Sequence, residues 1–240
     1  MTTQGAIIAR HSVRQYTDQP IEAGKITLLR ECIDTYNQQA GLHIQLVTDE
    51  PNAFSGAMAK YGKFSGVKNY IALIARRGAD EAIGYYGEQL VLMAQVLGLN
   101  SCWVGLTFSK QPNRYKVAVG EKLYCVIALG YGITQGVPHP QKKGIEAYCR
   151  DQRSVPDTLP GWFICGMEAA LLAPTAMNQQ KFEFILRNDC IVEAKPRFTM
   201  VGYAKIDLGI AICHFELGAG KDNFMLQYKN INGQLLCQLL

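Results

Sequence analysis

Arg10, Ser12 and Arg14 alternate along the segment Arg10-His11-Ser12-Val13-Arg14-Gln15-Tyr16. In an extended chain, alternate side chains share one face. Two guanidinium forks around a hydroxyl make a good receptor for a phosphate dianion, which wants several charge-assisted donors. Taken alone, the same segment also reads as an exposed basic loop after a helix. His11 has no recognisable Ser/His/Asp triad to join, and by itself it reads as a hydrogen-bonded histidine rather than a base. No side chain is therefore singled out as catalytic. No GxGxxG follows a strand, so a tightly held dinucleotide is unsupported. Eight cysteines are scattered without a CxxC pair, which removes the usual spacing of a zinc site.

The elements around this segment are set by apolar periodicity and its punctuation. Thr2 or Thr3 can cap a helix running to Ala9. Glu22 to Asn37 reads as a second helix, with Ile26, Leu28, Leu29, Cys32 and Ile33 on its apolar side. Leu42 to Val47 alternates as a strand, and the apolar run Tyr70 to Ala75 is expected as a central strand. Tyr86 to Leu97 is expected as a helix stopped by Gly98, followed by a short buried segment from Cys102 to Leu106. Tyr124 to Leu129 is another strand, closed by Gly130-Tyr131-Gly132. Gln135 to Pro160, rich in Gly, Pro and charge, reads as a connector. Beyond it come a helix from Trp162 to Leu172 and a strand from Phe182 to Leu186.

The second half echoes the first. A helix, Asn37-Gln38-Gln39 and a strand recur as a helix, Asn178-Gln179-Gln180 and a strand. Gly84-Tyr85 precedes a helix ending at Leu97-Gly98, and Gly202-Tyr203 precedes one ending at Leu217-Gly218. Two echoes in the same order point to an internal duplication. The second copy is shorter and shows no apolar run like Tyr70 to Ala75, so one functional site per chain is expected. The halves are placed at 1–150 and 151–240, together forming one compact unit.

Composition narrows the class. The 240 residues are 48% hydrophobic and 18% charged, ample for a core and unlike a disordered chain. A net charge of +4, with no Lys/Arg run longer than two, gives no basic face for nucleic acid. No apolar stretch reaches the roughly 18 residues that span a bilayer, and the first residues lack the charged and apolar regions of a secretory signal. A reducing cytoplasm with free cysteines is the expected location.

The opening Arg-His-Ser-Val-Arg, followed by Pro20 and a helix, resembles that of FMN-dependent nitroreductases. Gly84-Tyr85 through Gly98-Leu99-Asn100-Ser101-Cys102-Trp103-Val104-Gly105 resembles their central helix and the loop after it. Val126-Ile127-Ala128-Leu129-Gly130-Tyr131-Gly132 resembles the next strand and glycine turn. Ala173-Pro174-Thr175-Ala176-Met177-Asn178-Gln179-Gln180-Lys181-Phe182-Glu183-Phe184 is similar to the family's Ala-Pro-Ser-x-x-Asn-x-Gln-Pro-Trp-x-Phe motif. In ordinary members that motif follows soon after Arg-x-Ser-x-Arg. Here it stands in the second half, as in a divergent branch that fuses both halves of the usual homodimer into one chain.

The resemblance implies an α+β nitroreductase-like fold, with a mixed, mainly antiparallel sheet flanked by helices and an internal pseudo-duplication around one FMN. It places Arg10, Ser12 and Arg14 on the flavin phosphate or pyrimidine edge, with His11 alongside. Trp103, Val104 and Gly105 would lie near flavin N5 and O4, although Trp103 reads equally as core. Pro174, Thr175, Ala176 and Asn178 would border the ring within the same chain. Thr175 stands for the family's Ser, Lys181 for its Pro and Phe182-Glu183 for its Trp-x. The implied activity carries electrons from transient NADH or NADPH to a small oxidised acceptor, such as a nitroaromatic or quinone, in a pseudo-dimeric monomer or a homodimer. The alternatives are an FMN-binding sensor or storage protein, a flavin-free scaffold, or a related flavin-dependent dehalogenase or dehydrogenase.

Overall fold

A computed structural model of the chain describes residues 1–138, 143–155, 158–229 and 235–238. These fall into two compact units, Met1–Pro138 and His139–Leu240. Among the described residues, no helix is long and apolar enough to cross a membrane.

In the first unit, helix α1 (Thr3–Ala9) begins where the Thr2 hydroxyl accepts from the Gly5 N–H at 3.1 Å. Helix α2 (Ala23–Ala40) ends at Gly41, whose φ of 62° closes the last turn in a left-handed conformation. Strand β1 (Gln45–Val47), helix α3 (Ala57–Tyr61), strand β2 (Asn69–Arg76), helix α4 (Asp80–Val96) and strands β3 (Asn100–Val104) and β4 (Glu121–Gly130) follow. The sheet order is β1-β2-β4-β3, and every pairing is antiparallel. Tyr70, Ala72 and Ile74 of β2 join Phe54, Phe64, Val104 and Val126 in one apolar cluster. Leu129 joins Leu29 of α2 and Ala94 of α4 in another. Layers on both faces explain why β2 is an unbroken apolar run.

The apolar side expected for α2 is narrower than the pattern suggests: Leu29 and Ile33 are buried, but Leu28 is exposed. Helix α4 starts six residues before the expected Tyr86. Asp80 and Glu81 fill its first turn, where carboxylates suit the helix dipole. Gly87, inside the helix, serves packing. A Cβ on Gly87 would stand 2.5 Å from Trp103 Cη2. The buried segment expected over Cys102 to Leu106 is corrected to β3, two residues earlier, and Leu106 is exposed.

Gly87→Ala sets a helix-propensity gain of about 1 kcal/mol against an overpacking cost of about 1–3 kcal/mol. A net loss of about 1 kcal/mol in urea unfolding is expected from that balance, with a shift in Trp emission as the ring is displaced. A more stable variant with unaltered emission would contradict this account of the contact.

In the second unit, strand β5 (Cys149–Asp151) precedes helix α5 (Gly161–Leu171), strands β6 (Phe182–Leu186) and β7 (Ile191–Pro196), helix α6 (Ala204–Ala219) and strands β8 (Met225–Lys229) and β9 (Leu235–Gln238). The order is β5-β6-β7-β8-β9. β5 and β6 are parallel, β6 and β7 antiparallel, β7 and β8 parallel, and β8 and β9 antiparallel. Glycines let α5 and α6 approach closely: a Cβ on Gly218 would lie 2.6 Å from Ala169 Cβ. Phe215 of α6 stacks on Phe184 of β6 at 4.6 Å.

The fold is α+β, with helices and a mainly antiparallel strand arrangement; among the described residues the strands form two sheets, one in each unit, where one was expected. In the second unit a strand, β7, follows β6 although the sequence shows no continuous apolar run there. β7 lies antiparallel to β6 as β2 does to β1. It escaped notice because its burial alternates, so it carries no continuous apolar run. The expected connector contains β5, whose three residues include two charges; residues 139–142 and 156–157 of it lie outside the described residues.

Candidate functional site

The Arg10–Tyr16 segment is stitched to the first unit by short bridges. Ser12 pairs with Ser101 in parallel, Gln15 with Ser65 in parallel, and Tyr16 with Gly132 in antiparallel. The Val13 N–H donates to the Ser101 carbonyl at 3.1 Å, and the Ser65 N–H donates to the Arg14 carbonyl at 3.0 Å. Gly66 is required at this junction. Its φ is 70°, and a Cβ there would fall 2.2 Å from the Tyr16 carbonyl oxygen. The Tyr16 hydroxyl donates to the Val13 carbonyl at 2.7 Å, turning the segment's buried end inward. These bonds lay the Arg-x-Ser-x-Arg residues beside the start of β3.

Cys102, beside the bridged Ser101, is buried. Burial pushes its thiol up, while the Arg14 charge, a hydrogen bond with Ser12 and the Arg10 charge pull the other way. The same Arg14 charge opposes the strong rise that burial, then the neighbouring thiol, imposes on Tyr16. Arg10, Ser12 and Arg14 differ in depth: Arg10 is 7% exposed, Ser12 is half-buried and Arg14 is exposed. The Arg14 guanidinium stands 6.0 Å from the Phe64 ring, within cation–π range.

Arg10 has a second partner that sequence inspection missed. Its Nε lies 3.8 Å from Oε1 of Glu88, which is fully buried on α4. The other carboxylate oxygen accepts from Trp103 Nε1 at 2.8 Å. A glutamate in the apolar stretch Tyr85 to Ala94 was the available signal, since an unpartnered buried carboxylate is costly. Val104 is buried on β3 opposite Val126, and Gly105 follows it half-buried. His11 is half-buried where the chain passes at Gly136, whose Cβ would meet that of His11 at 2.8 Å. A donor-rich cluster with one exposed arginine suits a phosphate monoester.

In the second unit, Pro174, Thr175, Ala176 and Asn178 form a tight loop between α5 and β6. Met177, Asn178 and Gln180 have φ of 53°, 52° and 48°. Left-handed backbone costs a non-glycine residue about 1–2 kcal/mol, so the loop must be held. Gln180 is the holder. Its N–H donates to Thr175 Oγ1 at 3.1 Å, and its Nε2 donates to the Leu171 and Ala173 carbonyls at 2.8 and 3.1 Å. The Thr175 hydroxyl donates in turn to Gln180 Oε1.

Asp207, in the first turn of α6 and 4% exposed, accepts from the Ala176 N–H at 2.9 Å. Burial pushes its carboxyl up to about 6, and the Ala176 hydrogen bond only partly opposes this. An acid followed by the apolar run Leu208 to Cys213 was the signal for it.

None of the described cysteines forms a disulfide; the side chain of Cys237 lies outside the described residues. Among the described residues, no group of three His, Cys, Asp or Glu side chains is placed to hold a metal.

Residues 2–219 match the family described as "Putative TM nitroreductase". None of the curated proteins matches the chain. Among solved structures, a "putative nitroreductase" from Thermotoga maritima is 20% identical, with 98% of this chain and 91% of that one covered at a TM-score of 0.58. An FMN-dependent nitroreductase from Clostridium difficile is 20% identical over 54% of this chain and 87% of that one, with a TM-score of 0.42. A nitroreductase with bound FMN from Bacteroides fragilis is 19% identical over 60% and 94%, at 0.43. The Thermotoga structure supports the fold over nearly the full length, and the family match spans both units. The chain belongs to the TM nitroreductase family.

Proposed function

We propose that this chain is an FMN-dependent oxidoreductase that passes electrons from NADH or NADPH to a small oxidised acceptor, such as a nitroaromatic or quinone. What supports the proposal is the match of residues 2–219 to a nitroreductase family whose Arg-x-Ser-x-Arg segment this chain carries, held in place by the Ser12–Ser101 bridge. Arg14 and Ser12 are assigned to the FMN phosphate, and His11 flanks them. Arg10 is assigned to the phosphate or the pyrimidine edge. Trp103, Val104 and Gly105 are assigned to the flavin ring, where backbone N–H groups favour charge on its reduced form. Pro174, Thr175, Ala176 and Asn178 are assigned to the ring on their motif.

FMN, when bound, supplies hydride-transfer chemistry, so the protein need only bind, orient and hydrogen-bond the reactants. Donor and acceptor occupy one pocket in turn. The proposed setting is the cytoplasm, with the chain working as a pseudo-dimeric monomer or as a homodimer.

An absorbance spectrum of the purified protein, taken before and after anaerobic NADH or NADPH, tests the proposal. A flavin band that bleaches with the nucleotide and returns on adding a quinone is the expected result. A colourless protein that stays colourless after soaking with FMN would sink the flavin assignment. A yellow protein that neither nucleotide bleaches would sink the enzymatic one.

A further inference from the structure

Three elements of the first unit meet at one carboxylate. Arg10 closes α1, its N–H donating to the Ala6 carbonyl at 2.9 Å, and α1 packs on α4. From α4, Glu88 sets one oxygen 3.8 Å from Arg10 Nε, and its other oxygen accepts from Trp103 Nε1 at 2.8 Å. Trp103 arrives from β3. Its neighbours Cys102 and Val104 turn to the cluster of Phe54, Phe64 and Tyr70, so alternation sends the indole to the α4 side. There the ring is held twice, by the Glu88 carboxylate at its N–H and by the bare backbone of Gly87 beside Cη2. It is still only half-buried, which leaves part of it open to solvent.

Stability alone does not call for a carboxylate at this place. A buried ion pair can often be replaced by apolar side chains of similar volume without loss, and its recurrent use is to fix register. The register fixed here runs between two segments remote in sequence, one ending α1 and the other ending β3. With its oxygens directed at different partners, the carboxylate cannot follow one of them without leaving the other. Its negative charge, enclosed in the interior beside Trp103, also opposes further negative charge nearby.

We propose that Glu88 is a positioning residue of the flavin site, holding Arg10 and Trp103 in the one mutual placement that accepts FMN. This rests on the assignment of Arg10 to the phosphate or pyrimidine edge and of Trp103 to the ring.

Two variants of the full-length chain separate reach from charge. Glu88→Asp keeps the charge and draws it back by one methylene. Glu88→Gln keeps the length, and an oxygen for the Trp103 N–H, but drops the charge. Binding of oxidised and of anaerobically reduced FMN is measured by equilibrium dialysis, with urea unfolding and Trp emission of the flavin-free proteins alongside. Glu88→Asp should weaken both forms of FMN about tenfold and shift the Trp emission. Glu88→Gln should favour reduced over oxidised FMN by about tenfold, which is about 30 mV upward in the two-electron potential of the bound flavin. A side chain that only supports the fold would lower the urea midpoint and move neither binding quantity. The proposal is therefore overturned if folded Glu88→Asp binds FMN as tightly as the wild type, or if folded Glu88→Gln leaves the ratio of the two forms unchanged. Either variant decides the matter if the other does not fold. If neither folds, Glu88 serves the core and the proposal again fails. A wild type that takes up no FMN removes the flavin reading first, and this inference with it.

Discussion

Arg10→Ala is expected to lower folding stability by about 3–5 kcal/mol, whereas Arg14→Ala should change it by less than about 0.5 kcal/mol and instead weaken FMN binding. The two arginines look equivalent in the sequence, but their surroundings separate them. Arg10 is 7% exposed and faces Glu88, which is fully buried, at 3.8 Å. Removing the cation takes a charged partner from a carboxylate in the interior, and the lost charge pairing then appears as unfolding free energy. Arg14 is exposed. Among the described residues it has no carboxylate within ion-pair distance, so it gives the native fold little. What it can supply is a charge-assisted hydrogen bond to phosphate, worth about 1.5–3 kcal/mol, which is about 10–100-fold in Kd. Urea unfolding of the two variants and equilibrium dialysis against FMN separate the effects. Arg14→Lys should recover part of the affinity, because the charge remains while the planar fork is lost. An Arg14→Ala protein that holds FMN as tightly as the wild type would remove Arg14 from the phosphate site.

That contrast also shows what could be read in advance. Alternation placed Arg10, Ser12 and Arg14 on one face of an extended segment, and bridges to Ser101 and Ser65 hold that segment in the first unit. It says which face a side chain takes, not how deep it lies, and depth depends on Glu88, 78 residues away in sequence. Local punctuation was legible wherever the cause was local. Thr2 caps α1, Gly98 has a φ of 77° after α4, and β6 runs from Phe182 to Leu186 as its apolar run suggested. Elements stabilised by partners remote in sequence were not. β5 has three residues and two charges, and it exists because β6 lies parallel to it. Helix α4 reaches back to Asp80 past Gly84, and Gly87 within it admits the Trp103 ring, a contact remote in sequence. Family resemblance added what periodicity lacked, by singling out Pro174 to Asn178 as more than a turn. It said nothing of the left-handed backbone there, or of the Gln180 side chain that holds it.

Asp207→Asn is expected to stabilise the chain at neutral pH and to remove a pH dependence confined to the range between about 4 and 6. In the folded protein the Asp207 carboxyl is raised from 3.8 to about 6, chiefly by burial. Across that interval the folded state holds a proton that the unfolded chain has lost. Stability therefore falls as pH rises from about 4 to about 6 and does not change further above that range through this group. A shift of about two pH units corresponds to about 3 kcal/mol. The position of Asp207 in the first turn of α6 favours its charged form by only about 0.3–1 kcal/mol, less than burial costs it. Asparagine keeps a carbonyl oxygen for the Ala176 N–H and carries no charge to desolvate. The burial of its amide hydrogens offsets part of the gain, leaving about 1–2 kcal/mol in favour of the variant at pH 7.5. The measurement is the difference between wild-type and variant unfolding free energies from pH 4 to pH 7.5, in which titrations common to both proteins cancel. That difference should grow through the interval and level off above it. A difference that stays constant with pH would mean that Asp207 titrates in the folded protein as it does in the unfolded chain, and that the Ala176 N–H is bound to an ordinary carboxylate.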